Sequence, residues 1–181
     1  MIYVFLAEGF EEIEALTPVD LLRRAGKKVV TIGVGDSVIV GSHGIPVVPD
    51  AIAQEAVLGD ELEMIVLPGG MPGTLNLENS PYVQAAIDYC MDKNITIGAI
   101  CAAPSILGHK GLLRNKIAVC YEGFETQLDG ARIGEGSVAV DGNIVTARGA
   151  GVATQFALKL VELAVSKAES DRLFKAILCE K

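Results

Sequence analysis

The sequence predicts a single α/β domain, with a mostly parallel sheet covered by helices on both faces. Two observations carry this. Short, wholly apolar runs alternate along the chain with longer stretches whose apolar residues recur at helical spacing. Such strand–helix alternation implies right-handed βαβ units. The chain has 181 residues, half of them hydrophobic and 21% charged, which suits one domain with a real core and not a disordered polymer.

The elements follow in order. Ile2 to Ala7 is an apolar run and reads as a buried strand. Residues 11–25 read as a helix, with Gly26 as its stop signal. Lys28 to Val34 is a second strand. Residues 37–49 hold short β-branched runs around Gly41 and Gly44, the pattern of a hairpin or excursion. Met64 to Leu67 is a third parallel strand, closed by Pro68-Gly69-Gly70. Ser80 is placed as an N-cap, with Pro81 at the first helical position. Val83, Ala86, Ile87 and Cys90 then share one helical face. Ile95 to Ile100 is another strand and Ala102 to Leu107 another helix. Lys116 to Cys120, Val138 to Val140 and Ile144 to Ala147 supply further strands, the last two joined by Asp141-Gly142-Asn143. A long helix covers 152–166 with Val152, Phe156 and Leu160 inward, and a last helix covers 170–178. No repeat, linker or low-complexity stretch interrupts the chain, so one domain spans 1–181.

Composition excludes several function classes. Fifteen Lys and Arg against 23 Asp and Glu give a net charge of −8, which disfavours a nucleic-acid partner. The N-terminal apolar run is short, lacks a basic flank and meets Glu8 at once, so no secretory signal is expected. No apolar run approaches the roughly 20 residues of a membrane span. A cytoplasmic location is therefore expected. Cys90, Cys101, Cys120 and Cys179 lie far apart, so free thiols are expected in place of a disulfide framework. Only His43 and His109 are available and neither has ligand spacing, so no metal and no cofactor are expected. Gly33-Val34-Gly35 follows a strand but is continued by neither a third glycine nor a helix, so no dinucleotide fingerprint is present.

The sharpest local feature is Ile97-Gly98-Ala99-Ile100-Cys101-Ala102-Ala103-Pro104. A buried strand runs straight into a helix, with Cys101 at the junction among small residues. That is the logic of a nucleophile elbow carried by a thiol. The helix start is expected to make Cys101 more acidic than a free thiol. The amide N–H groups of Gly70 and Ala102 are placed to face developing negative charge, and Gly69-Gly70 lets the backbone come close. Read as a residue alone, Cys101 is equally a small packing residue at a tight turn. Glu11, Glu12 and Glu14 open the first helix, where acids are ordinarily surface residues favoured by the dipole. Pro18 has no N–H for the Glu14 carbonyl, which marks a possible kink.

Five motifs then occur in order: Glu8-Gly9-Phe10-Glu11-Glu12-Ile13-Glu14, Thr17-Pro18-Val19-Asp20, Leu67-Pro68-Gly69-Gly70, Ala99-Ile100-Cys101-Ala102-Ala103-Pro104 and Thr146-Ala147-Arg148-Gly149. With them the chain resembles the ThiJ/PfpI superfamily, in the branch of the parkinsonism-associated protein deglycase. The resemblance implies a flavodoxin-like sandwich and a homodimer. It implies that Cys101 is the reactive elbow cysteine and Glu14 a protonated carboxyl touching the sulfur. An oxyanion pocket near Gly69, Gly70 and Ala102 is implied as well. Relatives carry a cationic residue about where His43 stands, so the resemblance implies His43 as an anion contact of the cysteine pocket, and Arg24 approaching from a partner subunit.

Two departures matter. The peptidase-like branch has His directly after the elbow cysteine, where this chain has Ala102, so a cysteine peptidase is disfavoured. The glyoxalase-like branch has a His where alignment puts Cys120, which is then either a resolving thiol or a packing residue. Two readings of function stand. In one, Cys101 and Glu14 act on small reactive carbonyls, or on protein side chains modified by them, as a glutathione-independent glyoxalase or deglycase. In the other, Cys101 is a redox sensor or chaperone switch that oxidises without turnover.

Overall fold

The computed structural model describes residues 1–179. Its strands are β1 (Ile2–Ala7), β2 (Val29–Val34), β3 (Ile39–Val40), β4 (Pro46–Val47), β5 (Ala51–Ile52), β6 (Met64–Leu67), β7 (Thr96–Ile100), β8 (Ile117–Ala118), β9 (Arg132–Ile133), β10 (Val138–Asp141) and β11 (Ile144–Ala147). Its helices are α1 (Glu12–Arg24), α2 (Gly73–Glu78), α3 (Pro81–Lys93), α4 (Pro104–His109), α5 (Ala153–Ala164) and α6 (Lys167–Ala176).

Seven strands form one sheet in the order β10-β11-β7-β6-β1-β2-β5. Every neighbouring pair is parallel except β10 with β11, which is antiparallel. The sheet is buried on both faces because strand side chains alternate. Tyr3, Phe5 and Ala7 of β1 join Ile65, Leu67 and Ile97 under α3 and α4. Ile2, Val4 and Leu6 join Met64, Val66 and Val145 under α1, α5 and α6. This is a flavodoxin-like α/β sandwich.

Local chemistry sets the elements. Ser80 Oγ accepts the Val83 N–H and Pro81 opens α3, while Val83, Ala86, Ile87 and Cys90 are buried. Helix α1 ends where Gly26 takes φ +77° and the N–H groups of Gly26 and Lys27 bond back to Arg23 and Leu22. Helix α5 lays Phe156 and Leu160 onto β7 at Gly98, where a Cβ would stand 3.0 Å and 3.1 Å from their side chains. The backbone of α1 runs on through Pro18.

Several boundaries differ from expectation. The helix after the elbow starts at Pro104, because residues 101–103 form a turn. Lys116 to Cys120 gives only Ile117–Ala118, paired with β9 in a separate two-stranded sheet. Helix α6 begins at Lys167 because Ser166 caps it by accepting the Glu169 N–H. Val152 is half-buried and lies in the short turn ahead of α5. The short elements β5, α2 and β9 were not foreseen.

Candidate active site

Helix α1 follows β1, the Gly69-Gly70 turn follows β6, and the elbow follows β7. These strands are neighbours, so their carboxyl ends bring the three segments together, where open α/β sheets place their sites. Cys101 has φ +65°, a left-handed conformation that costs a non-glycine residue about 1–3 kcal/mol. Both its backbone groups are pinned. Its N–H donates to the Ala147 carbonyl at 2.9 Å, and its carbonyl accepts the Tyr121 N–H at 2.8 Å.

Glu14 is fully buried in the first turn of α1. Its Oε2 accepts the Gly69 N–H at 2.9 Å. Its Oε1 is buried without a well-aligned hydrogen-bond partner. That oxygen and the Cys101 sulfur both flank Gly149, where a Cβ would lie 3.8 Å from Oε1, 3.9 Å from Sγ and 3.3 Å from the Tyr121 ring. Gly69 sits between the pair on the other side. A Cβ there would come within 2.6 Å of the Cys101 Cβ and 2.7 Å of Glu14 Oε2. No side chain fits at that point.

Burial pushes the Glu14 carboxyl up to about 7, opposed by hydrogen bonds with Cys101 and with the N–H groups of Gly69 and Ala150. Burial also pushes the Cys101 thiol up to about 12, helped by the charge of Glu14 and the hydrogen bond with it. The amide N–H groups of Ala102 and Gly70 point at the sulfur and pull the other way. This overturns the expectation of an acidified thiol. The dipole of α4 is short and starts only at Pro104, whereas desolvation and a neighbouring carboxylate act at the sulfur itself. The resting pair is a thiol against a carboxyl that ionises near neutrality.

Of the remaining candidates, His43 and Arg24 are engaged with other side chains. His43 was expected to contact an anion, but its Nδ1 lies 3.0 Å from Glu12 Oε2 and 3.4 Å from Glu11 Oε2. Two carboxylates repel an anion, and they raise the pKa of the imidazole. Glu12 is accordingly buried and Glu11 half-buried, not the surface acids expected. The donor atoms of Glu11, Glu12 and His43 fall within 4.8 Å of one another, a grouping the sequence spacing hid because the hairpin β3–β4 folds back over α1. Arg24 is exposed and ion-paired to Asp20 at 2.7 Å, so within its own chain it serves α1. Cys120 is buried in the cluster under α3 and α4, and Cys101 packs against the other cluster. Burial pushes the Cys120 thiol up to about 11. No disulfide joins Cys90, Cys101, Cys120 and Cys179 among the described residues, and His109 pairs with Glu78 at 2.6 Å.

Sequence reasoning missed the outer wall of the site. Tyr121, Glu122, Arg148 and the Gly149-Ala150-Gly151 turn line an open trough of about 360 Å³. The signal was the glycine-rich run after β11, to which no role had been attached. A larger hollow of about 520 Å³ lies at the ends of β2 and β5, lined by Glu8, Asp36, Gln54 and Asn79 among others, and contains none of the cysteines.

The fold agrees with comparisons to known proteins. The family model described as the DJ-1/PfpI family matches residues 1–163. Protein dj-1beta of Drosophila melanogaster is 35% identical over 179 residues, covering 97% of this chain and 95% of that protein. A Caenorhabditis elegans protein named glutathione-independent glyoxalase DJR-1.2 is 29% identical over 175 residues, covering 96% and 93%. The crystal structure of Drosophila melanogaster DJ-1beta superposes with a TM-score of 0.92 at 32% identity, over 99% of this chain and 98% of that one. A thiol elbow beside a buried carboxyl, on a sandwich matched from end to end, leads to one conclusion: the chain belongs to the DJ-1/PfpI family.

Proposed function

We propose that the chain is a cysteine-dependent stress-protection enzyme acting on small reactive carbonyls, of the glutathione-independent glyoxalase or deglycase type. The observation that carries this is the fully buried Glu14 carboxyl, held near pH 7 against the Cys101 thiol beneath two amide donors. A carboxyl titrating near the working pH suits general acid–base chemistry, worth about 10²–10⁴ in rate. The C. elegans relative named as a glyoxalase supports the same substrate class.

With an α-oxoaldehyde such as methylglyoxal, the Glu14 carboxylate takes the proton of Sγ–H as the sulfur attacks the aldehyde carbon. The new oxyanion meets the N–H groups of Gly70 and Ala102, then gains the proton to complete a hemithioacetal. Glu14 next removes the hydrogen on that carbon and returns a proton to the neighbouring carbonyl carbon. The product is a 2-hydroxy thioester. Water cleaves it to the 2-hydroxy acid and regenerates the thiol. Methylglyoxal plus water thus becomes lactate with no external oxidant or reductant. A modified protein amine or thiol would enter by the same attack. A homodimer and a cytoplasmic location belong to the same proposal, with Arg24 reaching the site from a second copy.

The test is lactate formation from methylglyoxal without glutathione. Wild type is expected to turn over, Cys101→Ala to be inactive, and Glu14→Gln to lose at least about a hundredfold. Turnover by Cys101→Ala equal to wild type would sink the proposal.

A further inference from the structure

The trough beside Cys101 carries a feature that the thiol–carboxyl pair does not use. Arg148 is exposed on its rim and makes no ion pair among the described residues. Its Nε donates to the Gly136 carbonyl at 3.0 Å and its Nη2 to the Gly134 carbonyl at 3.2 Å. Its backbone N–H donates to the Ser137 carbonyl at 3.1 Å. The guanidinium is therefore fixed in place with Nη1 still unspent. Neutral carbonyls orient it without cancelling its charge. Glu122 also lines the trough, but its carboxylate is not within ion-pair range of Arg148. Tyr121 and Gly149 line the same trough, and a Cβ built on Gly149 would stand 3.9 Å from Cys101 Sγ and 3.8 Å from Glu14 Oε1, so the trough abuts the thiol–carboxyl pair. A positioned guanidinium presents a planar fork suited to a carboxylate.

We propose that Arg148 forms an anion subsite of this site, favouring small carbonyl compounds that also carry a carboxylate, which rests on the guanidinium while the carbonyl carbon meets the sulfur. This rests on the reading of Cys101 as the group that meets substrate, and alkylation tests it separately from turnover. Iodoacetate and iodoacetamide react alike, forming an S–C bond with loss of iodide and the thiol proton, and differ only in charge. The ratio of their rates at Cys101, read by mass spectrometry at low salt, is expected to fall about tenfold in Arg148→Gln, the effect of one charge-assisted contact. The bias is also expected to shrink in high salt. In wild type, lactate is expected to slow alkylation by iodoacetamide where lactamide does not, a readout that needs no variant to fold. An unchanged ratio in a folded Arg148→Gln overturns the subsite. If that variant does not fold, equal protection by lactate and lactamide overturns it. Anion preference without lactate formation from methylglyoxal would retain the subsite and remove the glyoxalase reading.

Discussion

Glu14 is folded against its own solvation, and the consequence depends on pH. Its carboxyl titrates at about 7 in the fold against an ordinary value of 4.5. The native state therefore binds more protons than the unfolded chain between those values. Stability falls as pH rises from about 4.5 through 7, by an amount on the order of 3 kcal/mol at its limit. Glu14→Gln removes this term. We expect thermal unfolding at pH 8 to show the variant melting above wild type, with the gap closing by pH 5. A variant that melts lower at both pH values would contradict the burial argument. At this scale the sequence was informative about types and poor about environments. Cys101 stood out because a thiol between a buried strand and a run of small residues is unusual. Spacing alone left Glu14 a surface acid, since nothing local shows that the Gly69 turn closes over it. Glu12 and His43 were misread for the same reason: their partners arrive from a hairpin some thirty residues away in the chain.

Elements with strong local signals were legible in the sequence. The cap at Ser80, the stop at Gly26 and the apolar faces of α3 and α5 are all matters of neighbouring residues. The two-residue strands β5 and β9 and the six-residue helix α2 were not, because they are too short for periodicity to register and carry no apolar run of their own. Helix α4 shows what such pieces depend on. Gly108 lies against the short helical turn Glu125–Gln127, and a Cβ there would run into the backbone of Gln127 and Leu128. Gly108→Ala is therefore expected to destabilise by about 1–3 kcal/mol, since backbone cannot yield as a flexible side chain can. Urea unfolding measures this. A shift under about 0.5 kcal/mol would show that the turn moves aside freely. Because α4 leads out of the elbow, the same variant is expected to slow Cys101 alkylation.

Across the whole molecule, the alternation of strands and helices was enough to give the architecture, but not the order of the sheet or the antiparallel turn of β10. Chain alternation does not say which neighbour a strand selects. The outer surface of α1 presents Ile13 and Leu16 to solvent, with 53% and 36% exposure, and Leu163 of α5 is also exposed. The homodimer in the proposal is an assembly that would cover these residues. Sedimentation equilibrium is expected to give twice the 19.0 kDa chain mass, and Ile13→Glu with Leu16→Glu to shift it toward the monomer. A wild-type monomer at micromolar concentration would remove both the dimer and any role for Arg24 in the site. The sheet's margins bear on how such assembly can proceed. One border is β5, only two residues long. The other is β10, where Asp141 accepts the Ile117 N–H and lies 3.6 Å from Lys116, so a neighbouring segment shields its end. Neither rim offers a long, bare row of backbone donors and acceptors, the template on which chains add strand to strand into fibrils. In the proposed dimer, contact is thereby left to the helical flanks, and not to the sheet margins.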